Sequence, residues 1–126
     1  MRKILFLLPF LVSMSEPIKD SNIEVTVEDK SGIRHNLKGL VCNGREYLRV
    51  REGSIDYSIN FSSIERIEVL SQEGKDIKLR IYTNDGGSKE YLVSANTHCK
   101  SKTPTGHAGF YIKDVKNIFI KTEGKK

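Results

Sequence analysis

Two cysteines are the side chains of this sequence whose chemistry is most readily assigned. Cys42 and Cys99 are far apart along the chain, and neither belongs to a Cys-x-x-Cys motif. A zinc site would need further ligands nearby, and His98, next to Cys99, would point to the opposite face of an extended chain. We therefore predict one disulfide, the single intramolecular pairing that two cysteines allow in an oxidising compartment. Free thiols and a metal site are the alternatives.

The three histidines are the sequence's candidates for acid–base chemistry. His35 shares its strand parity with Leu37, whereas His98 and His107 lie in a long polar segment. Catalysis would require a nucleophile or a carboxylate within hydrogen-bond reach of one of them. The chain has no Gly-x-Ser-x-Gly elbow, no Ser-x-x-Lys pair and no glycine-rich phosphate loop. We predict no enzymatic activity, no cofactor and no metal, with a small hydrolase that joins one histidine to a carboxylate as the alternative.

Basic and aromatic side chains form the candidate binding surface. Its residues are Tyr47, Arg49, Arg51, Lys78, Arg80, Tyr82, His98 and His107. Cations interleaved with aromatic rings on a sheet face suit anionic polymers or glycans, through charge and stacking together. The alternative is a solvated strand face, with Glu24 and Glu28 as the cross-strand partners of its charges.

Alternation of apolar and polar residues predicts that β-strands position these side chains. The alternating runs are Ile23–Val27, Ile33–Val41, Leu48–Val50, Ile55–Phe61, Ile67–Val69, Ile77–Ile81, Tyr91–Val93, Phe110–Ile112 and Ile118–Ile120. The segment Asn84–Gly87 predicts a hairpin turn, and the polar segment Ser94–Gly109 predicts a long loop, which is a second candidate for binding. The predicted fold is all-β: a small antiparallel β-sandwich or partly open β-barrel of about eight or nine strands.

A repeated apolar spacing indicates two degenerate repeats. Phe61–Ile67 and Ile112–Ile118 each predict a strand that enters a tight turn, buries one residue under the core and leaves as another strand. Cys42 and Cys99 would then occupy corresponding places in the two halves. Chance similarity within an all-β chain is the alternative.

The N-terminal residues predict export. Arg2 and Lys3 precede an apolar run from Ile4 to Val12, and Ser13 and Ser15 stand at suitable −3 and −1 positions for cleavage. We therefore expect a cleaved signal peptide over 1–15, a single β domain over 16–121 and a flexible basic tail over 122–126. An uncleaved N-terminal anchor or a buried strand is the alternative for the apolar run. No later segment is apolar enough to span a membrane. The formal net charge of +5 falls to about +3 without Arg2 and Lys3, which is ordinary for solubility.

These features together predict a periplasmic or secreted, non-catalytic binding module of the cell envelope. Its expected partner is an envelope protein or an anionic polymer or glycan, and export argues against nucleic acid. An accessory structural subunit of an envelope assembly, joined through an exposed strand edge, is the alternative function.

Overall fold

The computed structural model describes residues 23–122, which form ten β-strands and two short 3₁₀ turns. The strands are β1 (Ile23–Asp29), β2 (Arg34–Cys42), β3 (Tyr47–Glu52), β4 (Ile55–Asn60), β5 (Ile64–Glu73), β6 (Asp76–Thr83), β7 (Ser88–Ser94), β8 (His98–Thr103), β9 (Gly106–Tyr111) and β10 (Val115–Thr122). The predicted signal peptide over 1–15 and residues 123–126 of the predicted tail lie outside the described residues. Thr122, which was assigned to the tail, is the last residue of β10.

All ten strands belong to one antiparallel sheet that curls into a half-barrel. The order of the strands across the sheet is β4-β3-β7-β6-β5-β10-β1-β2-β8-β9. The predicted all-β class is therefore confirmed, with a single curled sheet of ten strands where about eight or nine were expected. Strands β4 and β9 are the two edges of this sheet.

The segment Ser94–Gly109 is the point at which the strand prediction fails. It contains the end of β7, the whole of β8 and much of β9. Strands β8 and β9 pair with each other along their full length. The loop prediction is wrong because the inward positions of β8 are Cys99 and Ser101, which are buried without forming an apolar run. Alternation of this kind is invisible to a hydrophobicity pattern.

The two tight turns predicted from the repeated spacing are confirmed. A 3₁₀ turn at Phe61–Ser63 links β4 to β5, and a second at Ile112–Asp114 links β9 to β10. The buried residues that follow the shared spacing are Phe61, Ile64, Ile67, Ile112, Val115 and Ile118. Each buried side chain of this size contributes about 1.5–3 kcal/mol of transfer free energy, so these turns anchor the centre of the core.

The strand order has a two-fold pattern. Each strand has a counterpart five places away in chain order, so that β1 corresponds to β6, β2 to β7, and so on. Exchanging every strand for its counterpart gives the same strand order, read from the opposite edge of the sheet. Cys42 lies in β2 and Cys99 in β8, which are neighbours and not counterparts. The prediction that the two cysteines occupy corresponding places is therefore wrong. The second hairpin of each half, β3–β4 or β8–β9, pairs with a strand of the other half, β7 or β2.

Candidate functional site

The disulfide fixes the junction between β2 and the hairpin formed by β8 and β9. Cys42 and Cys99 are cross-strand partners, with an S–S distance of 2.02 Å and a Cα–Cα distance of 4.0 Å. Beside the bridge, the backbone N–H of Asn43 donates to the His98 carbonyl at 2.7 Å, and the His98 N–H donates to Asn43 Oδ1 at 3.2 Å. The predicted bridge is confirmed, and it holds the edge hairpin in place.

Six residues of the candidate binding surface belong to β3 and β6 and lie on the face opposite the core, but neighbouring acidic groups neutralise most of their charge. The contacts are Arg51 with Asp76 at 2.8 Å, Lys78 with Glu73 at 3.5 Å, Arg80 with Glu90, and the Tyr82 hydroxyl with Glu68 at 3.0 Å. The Arg66 guanidinium also lies 4.2 Å from the centroid of the Tyr82 ring. These contacts favour the solvated-face alternative for this part of the surface, but the acidic partners are not the expected Glu24 and Glu28, which lie in β1.

The other two of these six residues, Tyr47 and Arg49, lie in β3. The Tyr47 hydroxyl accepts a hydrogen bond from Arg45 Nη1 at 2.8 Å. Arg49 is exposed and forms no ion pair with any residue in the range 23–122. Because β7 separates β3 from β6, Tyr47 and Arg49 do not join Lys78 and Arg80 in a continuous basic patch.

A row of basic side chains crosses β2, β8 and β9 on the same face of the sheet. Lys38 is the cross-strand partner of Lys102, and Lys102 is the partner of His107. Lys100 lies two residues from Lys102 on the same face of β8 and is exposed. We call Lys38, Lys102 and His107 the basic row. Like charges directly opposite each other destabilise a sheet, but Lys38 also has Glu24 of β1 as its cross-strand partner on the other side.

A groove of about 780 Å³ lies beside the basic row. Lys38 and Lys102 line it together with the polar side chains of Thr26 and Asn36, and the Thr26 hydroxyl donates to Asn36 Oδ1 at 3.0 Å. Val25, Leu37 and Pro104 supply apolar lining, Thr103 also lines the groove, and Glu24 supplies a carboxylate. Ammonium groups beside hydroxyl and amide groups can bind carboxylate, sulfate or phosphate oxygens.

Sequence reasoning found one member of the basic row, His107, and missed Lys38 and Lys102. The missed signal is the alternation of β8, in which Lys100 and Lys102 lie opposite the buried Cys99 and Ser101. That alternation would have placed both lysines on a strand face. It would not have placed them beside Lys38, because β2 and β8 are distant in sequence.

The structure does not bring the three histidines together. His98 pairs with Tyr111 at one end of the β8–β9 hairpin, and His107 lies at the other end. The His98 ring packs edge-on against Tyr111 with a centroid distance of 4.8 Å. A Cβ added to Gly109 would lie 3.0 Å from this ring, so His98 belongs to a packed contact of the hairpin.

His35 is the histidine that contacts a carboxylate. Its Nε2 lies 3.2 Å from Asp29 Oδ2, while Asp29 Oδ1 accepts hydrogen bonds from the backbone N–H groups of Ser31 and Ile33 at 2.9 and 3.0 Å. The hydrogen bond from His35, followed in size by that from Ile33, lowers the pKa of the Asp29 carboxyl. Within residues 23–122 no hydroxyl or thiol hydrogen-bonds to His35. The contacts of Asp29 close the β1–β2 turn.

The side chains and helices of residues 23–122 bear on whether the chain can hold a metal ion or cross a membrane. This range contains no group of three or more histidine, cysteine, aspartate or glutamate side chains placed to hold a metal ion. It also contains no helix long and apolar enough to cross a membrane.

Comparisons with other proteins identify the family of the chain. A family model described as "Uncharacterised protein" matches residues 19–123, and the chain belongs to this family. An uncharacterised protein of Aquifex aeolicus (strain VF5) is 39% identical over 128 residues, an alignment that covers 96% of this chain and 97% of the relative. No solved structure matches the chain.

Proposed function

We propose that this family member is an exported binding module of the cell envelope, and that the basic row binds an anionic polymer or glycan. The observation that carries the proposal is the register of Lys38, Lys102 and His107 across three strands beside an open groove. Lys102 stands opposite Lys38 on this face, and an anionic partner lying along the row would place negative charge beside both ammonium groups.

The groove adds contacts that a single surface lysine lacks. Lys100 and Lys102 have no carboxylate partner among the described residues, so an anion would not have to displace an existing ion pair from them. Thr26 and Asn36 offer hydrogen bonds to sugar hydroxyls, and Leu37 offers an apolar contact to a sugar ring. Binding of this kind depends on ionic strength, because salt screens exposed charges.

Export rests on two features that support each other. The N-terminal pattern is typical of a signal peptide, and the buried Cys42–Cys99 bridge suits an oxidising compartment. The intact mass of protein secreted by a bacterial host tests this directly. We expect a chain that starts near Glu16 and is alkylated at cysteine only after reduction. A full-length chain with both thiols free would overturn the export proposal.

A binding role is favoured over catalysis by the surroundings of the histidines. The His35–Asp29 pair closes a hairpin, and the ring of His98 packs against Tyr111. Neither histidine has a hydroxyl or thiol as a hydrogen-bond partner in the described part of the chain.

The binding proposal is tested by titrating dextran sulfate or polygalacturonate into the protein, with neutral dextran as the control ligand. We expect Lys102→Glu to weaken binding of either polyanion by about tenfold, equivalent to about 1.4 kcal/mol. Lys78→Glu is the matched control, because Lys78 already pairs with Glu73 on another part of the same face. Polyanion binding that is absent, unaffected by Lys102→Glu, or weakened equally by both substitutions would overturn the proposal.

A further inference from the structure

Strand β4 is an open edge of the sheet. It pairs with β3 from Glu52↔Ile55 to Tyr47↔Asn60, and it stands at the end of the strand order. The hairpin closes through a two-residue turn in which Gly53 has a φ of 62°. In a hairpin of this length the pair next to the turn is hydrogen-bonded, and alternate residues beyond it turn their backbone groups outward. The N–H and C=O groups of Asp56, Ser58 and Asn60 therefore face away from β3.

This edge lacks the usual protection against pairing. Sheet edges are commonly guarded by lysine, proline or bulges, whereas β4 contains one charged residue, Asp56, and no proline. Its inward side chains are apolar and accessible, since Ile55 is 54% and Tyr57 39% exposed. The Tyr57 ring meets Tyr91 edge-on with a centroid distance of 5.8 Å. The edge thus offers a backbone ladder bordered by an apolar strip.

We propose that β4 pairs antiparallel with β4 of a second copy of this chain, centred on Tyr57. With Tyr57 opposite its own copy, Ile55 lies opposite Ile59 of the second copy on the apolar face. The outward-facing backbone groups of Asp56 and Ser58 then meet those of Ser58 and Asp56 of the second copy. A partner for this edge must be an extended strand with apolar residues at alternate positions, and β4 of a second copy is such a strand.

Charge complementarity favours a second copy as the occupant. Ser58 is the cross-strand partner of Arg49, and Asp56 is that of Arg51. In the proposed register Asp56 faces Ser58 of the second copy, and Arg49 of the second copy lies one strand further on. Neither Asp56 nor Arg49 forms an ion pair among residues 23–122, and Arg51 is already bound to Asp76. The dimer would supply an opposite charge to both groups, twice by symmetry.

The opposite edge, β9, is a natural comparison. It is the counterpart of β4 in the symmetric strand order, and it also lies beyond a two-residue turn, with Thr103 opposite Gly106. On its inward face, however, β9 has Gly106 and Ala108 where β4 has Ile55 and Tyr57. We therefore assign self-association to β4. This pairing is independent of the proposed polyanion site, which lies at the other end of the sheet.

Sedimentation velocity of the purified, disulfide-bonded protein over a concentration series tests this inference. Two paired six-residue strands bury less than a standard interface of about 1,600 Å², so we expect a concentration-dependent dimer. Ser58→Pro removes an outward N–H without removing a β3–β4 hydrogen bond, and we expect it to weaken the dimer at least tenfold. His107→Pro makes the same change at an outward position of β9 and should leave the dimer intact.

A charge exchange gives a second test that does not rely on proline. Asp56→Lys and Arg49→Glu should each weaken the dimer, whereas the double variant should restore it, because the two charges exchange places across the interface. Circular dichroism and the thermal midpoint establish that each variant is folded. Wild-type protein that remains monomeric at concentrations of about 1 mM would overturn the inference. The association free energy of any dimer would then be weaker than about 4.1 kcal/mol, which corresponds to a dissociation constant of about 1 mM. Equal weakening by Ser58→Pro and His107→Pro, or no rescue in the folded double variant, would also overturn it.

Discussion

We expect that the disulfide can be replaced without opening a cavity, because the other half of the sheet shows which residues pack in the counterpart positions. Extending the register Arg51↔Leu92 along β3 and β7 places Leu48 opposite Ala95. Leu48 is 1% and Ala95 8% exposed. These two residues stand where Cys99 and Cys42 stand in the other half of the sheet. The double variant Cys42→Ala/Cys99→Leu therefore replaces the bridge with a packed pair that the sheet already contains.

The expected cost follows from the length of the closed loop. The two cysteines are separated by 57 positions, and the chain-entropy model gives about 4 kcal/mol for a crosslink over such a loop. A small domain has a total unfolding free energy of about 5–15 kcal/mol. We therefore expect the double variant to fold but to lose a large fraction of its stability.

Equilibrium unfolding in urea, followed by circular dichroism, measures this loss. With a slope of about 1–3 kcal/mol per molar urea, the midpoint should fall by about 2 M. Cys42→Ala/Cys99→Ala is the matched control, and we expect it to be less stable than the Ala/Leu variant because it leaves a void. A midpoint equal to that of the bridged protein would refute the entropic argument. An Ala/Leu variant less stable than the Ala/Ala variant would refute the packing equivalence.

The remaining predictions concern the core and the first hairpin. Ile67→Ala should cost about 2–5 kcal/mol of unfolding free energy, because Ile67 is fully buried between Ile81 and Ile118. Leu70→Ala, at an exposed position of the same strand, should change it by less than about 0.5 kcal/mol, and equal costs would contradict the assignment of the core. The lowered pKa of Asp29 contributes stability above its unfolded value of 3.8, which is lost as the pH falls through the folded pKa. Asp29→Asn should therefore unfold with a weaker acid dependence below about pH 4, and chemical denaturation at several pH values would contradict this if the two proteins lose stability in parallel.

Local sequence patterns were sufficient to predict most of the strands. Alternation in β1 and β6 marks the buried faces correctly, with Val25 and Leu79 among the least exposed residues. The predicted turn over Asn84–Gly87 is the β6–β7 hairpin. These elements pair with near neighbours in sequence, so their turn residues and side-chain parity act together.

Non-local pairing explains what sequence reasoning missed. Asn43 and Gly44 have φ values of 51° and 78°, as an Asn-Gly hairpin turn requires, yet the turn closes only the Cys42↔Arg45 bridge. The strand after this turn, β3, then pairs with β7 and does not continue the pairing with β2. Hydrophobic alternation cannot encode that choice, because it marks which residues share a face and not which strands pair.

The candidate site was predicted incompletely for the same reason. The charges of Lys78 and Arg80 were visible in the sequence, but their acidic partners became evident only from strand pairing. Lys38 and Lys102 belong to strands that meet only in the folded sheet. Strand parity can show which residues share a face, whereas the net charge of a patch depends on pairings between distant segments.

The two proposed surfaces lie at opposite ends of the sheet, so each provides a control for the other. If polyanion binding and self-association are separate properties, Lys102→Glu should leave the dimer unchanged, and Ser58→Pro should leave the affinity for dextran sulfate unchanged. A dimer would nevertheless present two basic rows to one polymer, and linked sites gain apparent affinity when the polymer spans both. Long dextran sulfate should then bind more tightly than short chains to the wild-type protein but not to Ser58→Pro. The same length dependence in both proteins would mean that each copy binds the polymer alone.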